Sequence, residues 1–306
     1  MILFVSGRCD IPAFYSEWFY NRLNAGFVDV RNPYDPHQIS RIPLTSNNVD
    51  AILFCSKNPM PMMNRLQEIP FPYLFHITIT PYHRDIEPNV PDKQTVIQAI
   101  RKLSEVIGRH RVIVRYDPIL LNERYTICYH KKAFEKLMKQ LAPYINTVIF
   151  SFIDIYKNTR AHEKDLNLMP LMQTQMKQLG KALSDIAKPY HINLQTCGED
   201  IDLMEYGIQN GACISKAIME QLLQRPYDPP QGKPIRSCNC LPTVDIGDYN
   251  ACAHFCRYCY ANYDEQAVQK RCLTHDPNAS VLLGHITQQD HITLRSEKQS
   301  RQFSLF

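Results

Sequence analysis

Three cysteines stand close together near the end of the chain, in the stretch YNACAHFCRYCYAN at residues 249–262. Cys252, Cys256 and Cys259 are separated by three and then by two residues. Thiolates held this close repel one another unless a metal neutralises them, so the spacing predicts metal coordination. The question is whether that metal performs chemistry or only stabilises a fold.

Two kinds of metal centre fit this spacing. A structural zinc needs a fourth ligand, which Cys238, Cys240 or His254 could supply. A [4Fe–4S] cluster held by three thiolates keeps one iron open, and chemistry can enter there. Cys238 and Cys240 are next-but-one neighbours, which point to opposite sides of an extended strand, so we favour neither as a ligand of this centre. They could instead be reduced bystanders, ligands of a second metal, or catalytic thiols.

The cellular compartment decides whether the cysteines are expected to form disulfides or to bind a metal. Six of the eleven cysteines of the 306-residue chain lie between positions 238 and 272. The opening run MILFVSG has no basic segment before it and no cleavage site after it, and it predicts a buried strand rather than a signal peptide. No stretch approaches 18 consecutive apolar residues, so we predict a cytoplasmic protein without a membrane partner. In that compartment metal ligation is favoured over disulfides.

The elements that must position these cysteines alternate between strands and helices. Short β-rich runs recur, with apolar helical stripes between them. The runs are ILFVSG, GFVDV, DAILFCS, YLFHITIT, RVIVRYD, NTVIFSFID and YHINLQT. One predicted helix starts after the cap residue Asp92 and stops at Gly108.

This alternation predicts an α/β protein, a full or partial (β/α) barrel with parallel strands and a C-terminal cysteine-rich cluster-binding segment. A doubly wound sheet remains an alternative. We place the barrel domain at residues 1–226, and the cysteine-rich segment with a polar tail, packed on the barrel, at residues 227–306. The apolar fraction of 44% supplies a core, and neither GxGxxG nor GxxxxGK[ST] occurs, which disfavours a glycine-cradled nucleotide.

Polar side chains follow almost every predicted strand. In parallel barrels the carboxyl ends of the strands meet at one mouth, so these side chains are expected to form a pocket for a zwitterionic or anionic ligand. The ring comprises Arg8, Asp10, Arg31, Asn32, Lys57, Asn58, Thr78, Thr80, Arg115, Asp117, Ser151, Asp154, Gln195, Cys197 and Glu199. Within it we predict catalytic roles for Cys197, Glu199 and Asp117. Cys213 is either a core residue or a pocket thiol.

The cysteine motif has an aromatic residue before its last cysteine. C-x3-C-x-aromatic-C resembles the signature of radical S-adenosylmethionine (SAM) enzymes, whose fold is a full or partial βα barrel. The resemblance implies that Cys252, Cys256 and Cys259 bind the cluster, that SAM chelates the open iron, and that Tyr258 lies against the adenine. The glycine-rich SAM motif of that superfamily is not recognisable, and the residues expected to replace it are Asp10, Lys57, Asn58, Arg115, Gln195 and Glu199.

Almost the whole chain resembles the DUF1848 family, an uncharacterised bacterial family. The hallmark stretches are SGRCDIPAFYSEWFYNRL, VRNPYDP, LFCSKNP, IEPNVP, VIVRYDPI and CNCLPTVDIGDYNACAHFCRYCYAN. The RYDPI stretch is also similar to spore photoproduct lyase and related DNA-repair enzymes. The cysteine motif follows all the strands instead of the first one, but a barrel places its first and last elements side by side.

Together these patterns predict a radical SAM-like iron–sulfur enzyme. It would cleave SAM reductively to a 5′-deoxyadenosyl radical, using electrons from a donor such as a flavodoxin or ferredoxin. The substrate is unknown, with nucleic-acid or nucleoside derivatives among the candidates; the net charge of +4 gives them little support. The alternatives are a zinc- or cluster-stabilised binding module without catalysis, and an electron-transfer iron–sulfur protein.

Overall fold

A computed structural model describes residues 1–229 and 238–295 of the chain. It is an α/β protein, which confirms the predicted fold class. The strands are β1 (Ile2–Val5), β2 (Phe27–Arg31), β3 (Gln38–Pro43), β4 (Ala51–Ser56), β5 (Tyr73–Thr78), β6 (Val112–Ile119), β7 (Thr147–Phe152), β8 (Asn193–Thr196), β9 (Gln209–Asn210), β10 (Thr243–Asp245) and β11 (His291–Leu294).

The main sheet contains eight strands in the order β10-β1-β4-β5-β6-β7-β8-β9. Every neighbouring pair in this sheet is parallel. Within the described residues no pairing joins β9 to β10, so the sheet is open and forms a partial barrel. The carboxyl ends of all these strands lie at one edge, where a site can collect side chains from several of them.

The connections between strands are mostly helical. The helices are α1 (Ile11–Phe14), α2 (Ser16–Ala25), α3 (Lys93–Ile107), α4 (Ile127–Leu141), α5 (Lys157–Ala161), α6 (Glu163–Leu166), α7 (Gln173–Ala187), α8 (Lys216–Leu223) and α9 (Glu265–Cys272). Shorter 3₁₀ segments cover Met60–Glu68, Arg109–Arg111, Ala142–Tyr144, Lys188–Tyr190 and Met204–Tyr206. None of the helices in the described part of the chain is long and apolar enough to cross a membrane.

Helix α3 shows why the sequence folds locally as it does. The Asp92 side chain accepts a hydrogen bond from the Thr95 backbone N–H, which caps the first turn, and Gly108 ends the helix at a φ of 89°. Glycine adopts such a positive φ without steric cost. The predicted start and stop of this helix are confirmed, and its predicted apolar stripe is buried except for Val106, which is exposed.

The two faces of the main sheet have different coverings. Helices α2, α3, α4 and α7 pack their apolar stripes on one face and form the larger core. On the other face a smaller core joins strand residues such as Leu53, Leu74 and Ile113 to Met219 and Leu222 of α8. Side chains alternate along a strand, so the residues that follow these apolar ones by two positions line the same concave face, nearer the mouth.

A second, three-stranded sheet stands apart from the first, in the order β11-β3-β2. Strand β2 pairs antiparallel with β3, so the interpretation of GFVDV as a parallel barrel strand was wrong. Alternating apolar residues suit an antiparallel hairpin as well as a barrel strand, and the sequence pattern does not separate the two. Arg31, expected in the polar ring, instead bonds Asp290 at 2.7 Å.

The segment after residue 226 contributes one strand to each sheet. Strand β10 pairs with β1, and β11 pairs with β3. The division at residue 226 remains a prediction, and the part of it that falls on residues 230–237 and 296–306 lies outside the described residues.

Candidate metal centre

Residues 250–262, named here the cysteine loop, form a compact turn structure closed by their own hydrogen bonds. The Asn250 N–H donates to the Ala261 carbonyl at 3.0 Å, and the Asn262 side chain donates to the Cys252 carbonyl at 2.7 Å. The Tyr15 hydroxyl donates to the Ala251 carbonyl at 2.7 Å. The loop therefore has a defined shape in which its three thiols, the loop thiols Cys252, Cys256 and Cys259, are fixed relative to one another.

The cysteine loop is seated on the carboxyl-terminal edge of the main sheet. Asn89, in the segment after β5, donates its side-chain amide to the Ala253 carbonyl at 2.9 Å. Asn158, after β7, donates to the Tyr260 carbonyl at 2.5 Å, and the Tyr260 hydroxyl donates to the carbonyl of Gly7, after β1. Contacts from three separate strand ends thus bring a late chain segment to the barrel mouth.

The loop thiols lie close enough to influence one another electrostatically. Burial raises the pKa of Cys252 well above its usual value, and negative charge on Asp10, Cys259 and Cys256 raises it further. Burial raises the pKa of Cys256 to about 12, against a lowering by the nearby Lys57 ammonium. Without a metal these thiols stay protonated; a metal bound there would displace the protons.

The sulfur of Cys259 has a feature suited to thiolate ligation. The Ala261 N–H donates to this sulfur at 3.4 Å. Burial raises the pKa of Cys259, while backbone hydrogen bonds from Ala261 and Asn262 lower it. Backbone N–H groups aimed at sulfur stabilise anionic thiolates and tune iron–sulfur centres. The donor set of the loop therefore fits a thiolate-bound metal centre.

Asp10 holds the base of the cysteine loop. Its carboxylate accepts from the Ser56 hydroxyl at 2.7 Å, from the Lys57 N–H at 2.7 Å and from the Ala13 N–H at 3.0 Å. The His254 Nε2 atom lies 2.9 Å from it. With four contacts inside the protein, Asp10 acts here as a positioning residue between β1, β4 and the loop.

Glu87 is the centre of a second buried network, and it was not among the predicted site residues. Its carboxylate accepts from Lys57 at 2.7 Å, from the Thr80 hydroxyl at 2.8 Å and from Lys93 at 2.5 Å, and also from the Tyr258 hydroxyl. Burial tends to raise the pKa of Glu87, but the Lys57 and Lys93 charges lower it to about 2. Glu87 is therefore ionised.

Lys57 and Tyr258 meet beside the loop thiols. The Lys57 ammonium lies 5.5 Å from the centre of the Tyr258 ring. Burial lowers the pKa of Lys57, but the charge of Glu87 raises it above its usual value, so Lys57 carries a positive charge. Asn58, the next residue, has its side-chain oxygen on the Met60 N–H at 3.3 Å, as in a turn.

Arg115 and Asp117 line the concave face two and four positions after Ile113. The guanidinium donates to the Asp117 carboxylate from Nε at 3.0 Å and from Nη2 at 2.5 Å. Its Nη1 donates to the Cys213 sulfur at 2.7 Å. Burial lowers the pKa of Arg115, but Asp117 and nearby cysteines raise it well above the usual value, so it remains a cation.

Gln195 and Glu199, two further predicted site residues, lie in β8 and just after it. Gln195 donates its side-chain amide to the Ala212 carbonyl at 3.0 Å, which places it as a positioning residue for the 211–215 loop. Glu199 accepts from the Phe152 N–H at 2.7 Å. Burial and then the charges of Asp154, Asp200 and Asp117 raise the pKa of Glu199 to about 7, against a lowering by the Phe152 bond.

Cys197 belongs to a second thiol group that the sequence did not reveal. The sulfurs of Cys197, Cys213 and Cys240, the wall thiols, all lie within 4.8 Å of one another. In the described part of the chain they are the group of metal-type ligands that converges this closely, whereas the loop thiols are not grouped within that distance. Hydrogen bonding to the other two sulfurs lowers the pKa of Cys213 well below its usual value.

Fold and site together define an α/β partial-barrel protein with two thiol groups at its concave face and mouth. A family model described as a domain of unknown function, DUF1848, matches residues 2–261. The chain belongs to the DUF1848 family, and the matched region includes both thiol groups. Neither a search of curated proteins nor a search of solved structures finds a match.

Proposed function

We propose that this protein is a radical SAM-like iron–sulfur enzyme whose cluster is held by the loop thiols Cys252, Cys256 and Cys259. The observation that carries the proposal is the position of the cysteine loop on the strand ends of a parallel sheet, with its thiols beside a charged lysine and an aromatic ring. When bound, a reduced [4Fe–4S] cluster supplies the electron that cleaves SAM. A donor such as a flavodoxin or ferredoxin provides that electron.

The spacing of the sulfurs supports a cluster over one shared ion. Sulfurs on a single tetrahedral zinc lie roughly 3.8 Å apart, given a Zn–S bond of about 2.3 Å. Thiolates that bind three different irons of a cluster lie farther apart than that. The loop thiols are not grouped within 4.8 Å, whereas the wall thiols are.

Some residues around the cysteine loop would contact SAM, and others hold those residues and the loop in position. Tyr258 offers a ring face, and its hydroxyl is fixed by Glu87. Lys57 holds a positive charge next to that ring, where a carboxylate of SAM would find a partner. Asp10 fixes the position of the cysteine loop relative to Lys57, because its carboxylate contacts both the Lys57 N–H and the His254 side chain. These contacts fix the pocket before any ligand arrives.

The substrate side of the site is the concave face between the loop thiols and α8. Arg115 and Asp117 have side chains that are 17% and 12% exposed, so both can contact a ligand. Three of the five guanidinium N–H groups are used in the bonds to Asp117 and Cys213, which leaves two for a ligand within the described structure. A pocket with this charge pattern suits an anionic or zwitterionic substrate.

The test is anaerobic reconstitution with iron and sulfide. We expect a brown protein with about four irons and four sulfides per chain at the loop thiols, and a change in its electron paramagnetic resonance spectrum when SAM is added after reduction. Under dithionite it should release 5′-deoxyadenosine slowly. The variant Cys256→Ala should lose this cluster, and Cys128→Ala, at an exposed cysteine of α4, should keep it.

Each contrary result has a clear meaning. A colourless protein with zinc at the loop thiols would replace the enzyme with a metal-stabilised binding module. An intact cluster whose spectrum ignores SAM would favour an electron-transfer protein. Retention of the iron by Cys256→Ala would show that the loop thiols are not its ligands.

A further inference from the structure

The wall thiols come from three separate parts of the chain. Cys197 follows β8, Cys213 lies between β9 and α8, and Cys240 precedes β10. The sulfurs of Cys197 and Cys213 are 2.8 Å apart, those of Cys197 and Cys240 are 3.6 Å apart, and the Cys213 N–H donates to the Cys240 sulfur at 3.1 Å. The fold thus brings three sulfurs together although the cysteines are far apart in sequence.

Specific contacts hold these three segments together. The Gly211 N–H donates to the Thr196 carbonyl at 3.0 Å. A Cβ atom at Gly211 would lie 2.7 Å from the Gln195 side chain, so a larger residue here would displace the Gln195 amide that holds the loop. On the other side, the Leu241 N–H donates to the Ile214 carbonyl at 3.0 Å. The convergence of the sulfurs is therefore built into the backbone.

The surroundings point to a missing group at this place. His76 of β5 is 2% exposed, and its Nε2 atom has no hydrogen-bond partner among the described residues. It lies on the concave face, against the backbone of Cys213. Buried polar atoms are almost always satisfied, so an orphaned nitrogen on a side chain that contacts Cys213 indicates that a group outside the chain is missing nearby; His76 itself is not among the three converging ligands.

We propose that Cys197, Cys213 and Cys240 bind a single Zn²⁺ ion, at a site separate from the loop thiols. Soft thiolates select zinc over magnesium or calcium, and three sulfurs within 4.8 Å are spaced for one ion rather than for several. A disulfide would use two of the three sulfurs and leave the third without a partner.

Three protein ligands would leave the zinc with one further coordination position. The described residues place three thiols within range of one another. Zinc with three protein ligands keeps its fourth position for water or a substrate atom. Arg115, on the concave face, already bonds the Cys213 sulfur, so a ligand of the zinc would have a guanidinium near it.

The experiment removes the loop thiols first. The triple variant Cys252→Ala, Cys256→Ala, Cys259→Ala is produced with zinc in the medium, purified without oxygen and measured by elemental analysis. We expect about one zinc per chain. In the same background, Cys213→Ser and Cys240→Ser should each lower the zinc content at least tenfold, while Cys128→Ser should leave it unchanged. Circular dichroism confirms that each variant is folded.

Cobalt titration provides a second measurement on the triple variant itself. Co²⁺ at the wall thiols should give an intense thiolate-to-metal absorption band that one equivalent of zinc abolishes. The proposal is overturned if the folded triple variant contains no zinc and gives no such band. It is equally overturned if zinc survives both serine substitutions, or if mass spectrometry finds a Cys197–Cys213 disulfide in the anaerobic protein. Because the loop thiols are absent here, these outcomes do not depend on the iron–sulfur proposal.

Discussion

The two thiol groups differ in how the chain assembles them. The loop thiols fall within eight consecutive residues, 252–259, so local turns alone bring them together. The wall thiols span residues 197–240 and meet only because β8, the 211–215 loop and the segment before β10 pack side by side. Metal ligands that are close in sequence can be recognised from the sequence. Ligands that only folding brings together can be recognised only from the structure.

They also differ in the charges that surround them. The loop thiols face a buried network of one carboxylate with two ammonium groups, Glu87 with Lys57 and Lys93. The wall thiols face one guanidinium, Arg115, which is paired with Asp117. The first environment depends on ions whose loss should affect the whole mouth, whereas the second has a single charged contact, on one sulfur. The predictions below test that difference.

The largest effect is expected at Glu87. Replacing it by glutamine leaves two ammonium groups without their shared carboxylate, and Glu87 is almost fully buried. Breaking a buried ion pair at one partner costs several kcal/mol, and because Lys93 is partly exposed we expect a loss of about 3 kcal/mol in the free energy of unfolding. Denaturant titration of the protein without metal measures it.

The matched control is Glu135→Gln, on α4. Glu135 pairs with Lys139 on the surface, where both side chains are more than half exposed, so its removal should change stability little. Equal effects of the two substitutions would mean that the Glu87 network is not a structural support of the mouth.

The sequence predicted the scaffold because its signals are local. Alternating apolar runs identified most of the parallel strands, and Asp92 with Gly108 set the limits of α3. It missed β9 and β10, which have two and three residues and too few positions to show a pattern. It also missed β3 and β11 of the second sheet.

The site was only partly predictable for the same reason. The cysteine motif and the strand-end residues could be read directly, and Lys57, Asp10 and Tyr258 do gather around the loop thiols. Glu87 lies in IEPNVP, a proline-rich stretch that suggests a turn, and its role depends on lysines from two other segments. Likewise nothing in the spacing of Cys197, Cys213 and Cys240 shows that their sulfurs converge.

A second prediction links the wall thiols to folding. Because these sulfurs are brought together only in the folded state, zinc should bind the native protein and not the unfolded chain. At free zinc of 100 times its dissociation constant, this linkage stabilises the fold by about 2.7 kcal/mol. Thermal or denaturant unfolding of the triple variant, with zinc and with a chelator, measures the difference. In the Cys213→Ser form of that variant zinc should have no effect; a persistent effect would place the ion elsewhere.

The smallest effect is expected at Arg115, through the affinity of the wall thiols for zinc. Its Nη1 donates to the Cys213 sulfur at 2.7 Å, and such outer contacts orient a ligand and stabilise its anionic form. Arg115→Gln should therefore weaken zinc binding by about tenfold in a competition titration with a chromophoric chelator. Repulsion between the guanidinium and the ion works against this, but Asp117 neutralises it through two hydrogen bonds.

The comparison variant for Arg115 is Asp117→Asn, which weakens the ion pair but leaves the guanidinium on the sulfur. This substitution leaves the positive charge of Arg115 free to repel the zinc, so it too should lower the affinity for zinc. If the bond from Arg115 to the Cys213 sulfur matters more than this repulsion, the loss should be smaller than in Arg115→Gln. An affinity raised by Arg115→Gln would show that charge repulsion dominates. In that case Arg115 would serve a ligand on the concave face at the expense of the metal.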